Sequence, residues 1–98
     1  MVVFDRTDDL QDAHLRAHGA DPAAPPRHHV PASADFAVAV ELGLGWGMVP
    51  DLQRPDRLVD LGAAVDVALF WQQWRLRTAS LDRVAEAVVT AAATALLP

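Results

Sequence analysis

The apolar residues fall in short runs separated by turn formers, and the spacing within each run predicts an element. Val2-Val3-Phe4 is a continuous apolar run that closes on the Asp5 carboxylate, as a short buried strand does. A helix is expected from about Asp8, with Gln11 three residues on as in a capping box. Leu10, Ala13 and Ala17 give that helix an apolar stripe, and Gly19 stops it. Prolines then deny both helix and ladder across residues 20–26, so a loop is expected. His28-His29-Val30 is a short strand closed by Pro31. Ser33 is the expected N-cap of a second helix, with Asp35 in its first turn, Phe36, Ala39 and Val40 at helical spacing, and Gly43 at its end. Leu44 to Val49 reads as a strand with Leu44, Trp46 and Met48 on one face and Gly45 and Gly47 on the other. A turn or single helical turn is expected over Pro50–Pro55, a short strand over Leu58–Leu61, and a long strand over 65–76. From Ser80 onward, Leu81, Val84, Ala85, Val88, Ala91, Ala92 and Ala95 mark the clearest amphipathic helix.

Strands alternating with helices imply an α/β fold: a mostly parallel sheet flanked by helices. Composition adds a tension. The chain is 52% hydrophobic at only 98 residues, so some apolar surface is expected to lie against something outside it. A net charge of -5 argues against this segment gripping nucleic acid, which needs clustered cations. The absence of cysteine removes disulfides, thiolate metal sites and cysteine nucleophiles. No uncharged run is long enough to span a membrane, and Met1-Val2-Val3-Phe4 passes straight into Asp5 and Arg6, unlike a secretory leader. A cytoplasmic location is the expectation.

Three segments in order carry a family resemblance. They are Phe4-Asp5-Arg6-Thr7-Asp8-Asp9-Leu10-Gln11-Asp12; Pro31-Ala32-Ser33-Ala34-Asp35-Phe36 running through to Gly43-Leu44-Gly45-Trp46-Gly47-Met48-Val49-Pro50-Asp51-Leu52-Gln53; and Leu69-Phe70-Trp71-Gln72-Gln73-Trp74-Arg75 with the helix after it. Together they resemble the C-terminal part of the effector-binding domain of LysR-type transcriptional regulators, in the lysine/arginine-responsive LysG/ArgP group. The resemblance implies part of a two-lobed, type 2 periplasmic-binding-protein-like domain. Residues 1–64 would belong to its second lobe, and 65–98 would cross back to complete the first. It also implies a basic amino acid effector, lysine or arginine, a homo-oligomer in the full-length regulator, no cofactor, and DNA contact only through a helix-turn-helix that these residues do not include. A solute-binding or enzyme domain built on the same lobes, or a truncated reading frame without activity of its own, are the alternatives.

Sensing a basic amino acid needs a carboxylate for the cation and N–H donors for the α-carboxylate, and helix starts at strand ends supply both. Asp5, Asp8 and Asp9 sit at one such junction and Ser33, Ala34 and Asp35 at another, so these six are the expected effector contacts. Asp8 and Asp9 also suit plain helix capping, and Arg6 suits a local ion pair. The Gly43-x-Gly45-x-Gly47 run precedes no helix, so close packing rather than phosphate binding is expected. His14 and His18 share one helix face, with Asp21 near in sequence, but a solvated face is the expectation and no metal is assigned. Adjacent His28 and His29 point to opposite sides of a strand and cannot chelate together. Trp71 and Trp74 would face opposite ways on a strand, one of them in the core. No nucleophile elbow or hydrolase motif is present, so no enzyme activity is expected.

Overall fold

A computed structural model describes residues 1–97. It divides at Ala63 into two compact units. The first unit holds β1 (Val2–Val3), α1 (Leu10–Ala17), β2 (His28–His29), α2 (Ser33–Glu41) and a single 3-10 turn at Asp51–Gln53. The second holds one element, α3 (Ala79–Ala95).

In the first unit, β1 and β2 are parallel, with Val2 opposite His28 and Val3 opposite His29. The ladder is extended at both ends: His28 donates to the Met1 carbonyl and Val30 to the Val3 carbonyl, each at 2.9 Å. Val2 and Val3 are fully buried, as a β-branched pair between ladder and helix should be. Phe36 and Ala37 of α2 are buried with them, and α2 packs on β1. Both helices stop as their glycines predict. Gly19 has φ +72° and Gly43 φ +85°. Ala20 donates to the Leu15 carbonyl and Gly19 to that of Arg16, while Leu44 donates to Ala39 and Gly43 to Val40. Each helix thus closes on a Schellman motif, which satisfies its last carbonyls and needs the left-handed residue.

Three expected strands are not formed. Residues 44–49 run beside β1, but only one main-chain bond joins them, Val2 N–H to the Trp46 carbonyl at 2.8 Å. The glycine face explains the approach. A Cβ on Gly47 would come within 3.0 Å of the Phe36 ring and 3.2 Å of the Val2 carbonyl oxygen, and one on Gly45 within 3.2 Å of the Met1 Cα. The strand is traded for close packing, as the glycines allow. Residues 58–61 and 65–76 form no ladder among the described residues. Their apolar residues suit a strand, but a strand exists only by pairing, and no described residue pairs with them. Neither Trp71 nor Trp74 is core: they are 47% and 89% exposed.

The stripe assigned to α1 is also turned the other way. Leu10, Ala13 and Ala17 are exposed, whereas Gln11 is fully buried and His14 and Leu15 are half-buried. The Gln11 side chain therefore does not reach back as a capping-box partner. In the second unit, α3 starts on Thr78, whose Oγ1 accepts the Leu81 N–H at 3.1 Å, and Arg77 pairs with Asp82 at 2.9 Å across the cap. Its apolar stripe appears where the spacing places it, yet no residue of α3 is buried.

Candidate functional site

Because β1 and β2 are parallel neighbours, both chains leave the sheet at the same edge, and α1 and α2 both begin there. The two carboxylates at the first junction are shaped by local hydrogen bonds. One Asp5 oxygen, Oδ1, accepts the Thr7 hydroxyl at 2.7 Å, the Thr7 N–H at 2.8 Å and the Asp8 N–H at 3.2 Å. The Thr7 hydroxyl, then its N–H, holds the Asp5 carboxyl below the ordinary carboxylate range, with the Asp8 N–H and the charge of His29 adding to the effect. Asp8 spans the junction: Oδ2 accepts the Phe4 N–H at 2.9 Å and Oδ1 the Leu10 N–H at 3.2 Å. The residue at the cap position is Asp9, and its side chain makes no cap bond. The capping role thus falls to Asp8, one residue earlier.

At the second junction the cap is Ala32 and not Ser33, which is the first helical residue. Alanine has no side-chain acceptor, and no side chain accepts from the first turn of α2. The N–H groups of Ser33, Ala34 and Asp35 therefore start a helix without a side-chain cap.

Between the junctions lies an open cavity of about 200 Å³. Asp8 and Ser33 both line it, joined by Gln53 from the 3-10 turn. Phe4, Leu10, Phe36 and Met48 to Pro50 form its apolar wall. Of the six expected contacts, two meet here. Asp5 is committed to its own turn, while Asp9, Ala34 and Asp35 are on the exposed surface and do not line the cavity. Gln53 and Met48 were not foreseen as contacts. The one signal for Gln53 is a polar side chain closing a turn that opens on Pro50.

One carboxylate, one hydroxyl and one amide on an apolar wall suit a small molecule with an apolar stem and a cationic end. The cavity is smaller than the roughly 300–1,000 Å³ usual for drug-sized ligands. Among the described residues no three histidine or carboxylate side chains gather as metal ligands, and no helix is long and apolar enough to cross a membrane.

The chain is similar to curated proteins of two names, LysG and ArgP. It is 41% identical over 99 residues to the lysine export transcriptional regulatory protein LysG of Corynebacterium efficiens, an alignment covering 94% of this chain and 34% of that protein. The protein of the same name from Corynebacterium glutamicum is 36% identical over 106 residues, covering 100% of this chain and 36% of its own length. The HTH-type transcriptional regulator ArgP of Pseudomonas fluorescens is 35% identical over 106 residues, covering 99% and 35%. The chain therefore spans about a third of the length of the relatives it matches. No family model matches it, and no solved structure does.

Proposed function

By sequence the chain belongs to the LysG/ArgP group of LysR-type transcriptional regulators, and from that premise we propose that it is the C-terminal part of their effector-binding domain, which senses lysine or arginine to control amino-acid export or metabolism genes. In this reading the fold is a portion of a type 2 periplasmic-binding-protein-like domain. Residues 1–64 belong to the second lobe and 65–98 complete the first; the division of the structure at Ala63 supports that boundary. The protein works in the cytoplasm as a homo-oligomer of the full-length regulator. DNA contact falls to a helix-turn-helix outside these residues, and the chain carries out no catalysis.

The observation that carries the proposal is the meeting of Asp8 and Ser33 in one cavity beside the uncapped start of α2. The effector's α-carboxylate takes the first N–H groups of α2, where the helix dipole favours an anion. Asp8 takes an ammonium or guanidinium group, and the apolar wall takes the methylene stem. Of the six sequence candidates, Asp8 is assigned a side-chain contact and Ser33 a hydroxyl and N–H contact, while Ala34 and Asp35 lie outside the cavity and present their N–H groups at the same helix start. Asp5 supports the turn, and Asp9 is assigned no contact.

Amide NMR of this chain titrated with lysine, arginine and leucine tests the assignment. Lysine or arginine should move the Ser33, Ala34 and Asp35 amides, and Asp8→Asn should weaken that binding about tenfold. Negligible shifts with both basic amino acids, or equal shifts with leucine, would overturn it.

A further inference from the structure

A second cluster lies at the far end of α1. His14 and His18 are one helical turn apart, with ring centroids separated by 4.3 Å and planes tilted by 39°. His18 Nδ1 lies 2.8 Å from the His14 carbonyl oxygen. That contact is a hydrogen bond only if Nδ1 carries the proton, which leaves the Nε2 lone pair of the exposed His18 ring free. Metal-ligating histidines are commonly fixed in this way, one ring nitrogen donating to a backbone carbonyl while the other binds the ion. The His14 ring is held by packing. It lies 5.5 Å from the Trp46 ring, and a Cβ on Gly62 would come within 3.7 Å of its Cε1. Both imidazoles are thus oriented before any ligand arrives.

We propose that His14 and His18 form an open two-histidine site for a divalent first-row transition-metal ion. Nitrogen–metal bonds are about 2.0–2.1 Å, so the two rings, with centroids 4.3 Å apart, must turn one nitrogen each toward a shared ion. Two neutral imidazoles select borderline ions, with copper bound more tightly than nickel or zinc, and magnesium excluded. Among the described residues no third protein ligand joins them, so the remaining positions belong to water or to an outside donor. The site is separate from the cavity at the start of the helices, and it stands or falls independently of effector binding.

Trp46 supplies the readout. In a Trp71→Phe/Trp74→Phe variant it is the remaining tryptophan of the three, and copper bound at His14 should quench it. One copper ion per chain is expected to give saturable quenching that a chelator reverses. His14→Gln and His18→Gln should each weaken binding at least about tenfold, while a His28→Gln/His29→Gln variant should bind as before. Substoichiometric copper should also broaden the His14 and His18 imidazole signals of the unaltered chain in NMR spectra, a check that needs no variant to fold. Quenching that fails to saturate by about 1 mM copper, that survives the loss of both residues, or broadening centred on His28 and His29 would each overturn the site.

Discussion

At Asp5 a single carboxylate oxygen accepts three donors, two of them from Thr7. Each bond favours the ionised form, so the folded chain holds Asp5 below its ordinary value of 3.8. A depressed carboxyl contributes stability that is present above the unfolded value and lost as pH falls through the folded one. Thr7→Val removes the largest cause, so the Asp5 titration followed by carbon NMR should move up toward 3.8, with acid unfolding starting at higher pH. Gln11 is the opposite case. It is fully buried, and neither atom of its amide has a protein partner. Gln11→Met keeps the length and removes two groups costly to bury, so a gain of about 1–3 kcal/mol in denaturant unfolding is expected. A loss would show that the amide is hydrogen-bonded to water. Residue types were legible from sequence in Asp8 and Ser33, since acids and small hydroxyls gather at helix starts. Their exact roles were not. Which residue adopts the extended cap conformation depends on where the chain leaves the sheet, and that placed Ala32 at the cap.

Helix stops were legible because they are local. A glycine with positive φ closes each of α1 and α2 through bonds reaching only five residues back. Strands at 44–49 and 65–76 were misread because pairing is not local: alternation states which face a strand would present, but not whether a partner exists. The face of α1 was misread for a related reason. Leu10, Ala13 and Ala17 form the better stripe by hydropathy, yet the helix, entered through the turn that Asp8 bridges, carries Gln11 inward. Gly47 was read correctly as a point of close approach. Gly47→Ala should drive a methyl group into Phe36 and the Val2 carbonyl and destabilise the first unit by about 1–3 kcal/mol, read as a lowered denaturation midpoint. On α3, Thr78→Ala removes the acceptor for Leu81 and should cost about 0.5–2 kcal/mol of helix stability, seen as reduced far-ultraviolet helicity.

For the molecule as a whole, the expected shortage of cover is found and is unevenly distributed. Buried residues lie only in the first unit among the described residues, while Val84, Val88 and Val89 of α3 and Phe70 and Trp74 before it are exposed. The first unit has a core that can open cooperatively, and the second has none of its own. Hydrogen exchange should therefore protect Val2, Val3 and α2 well beyond α3, and equal protection along the chain would contradict the division. The exposed apolar residues also predict association that grows with concentration in sedimentation experiments. The unladdered residues from Ala64 to Thr78 bear on lifetime as well as order. A protease needs backbone it can thread through its cleft, and Arg75 and Arg77 are exposed on backbone that forms neither helix nor ladder. The first cut there requires no unfolding. The half-life of the intact chain is thus uncoupled from the strength of its core, and substitutions that tighten residues 1–63 will leave its rate of degradation unchanged.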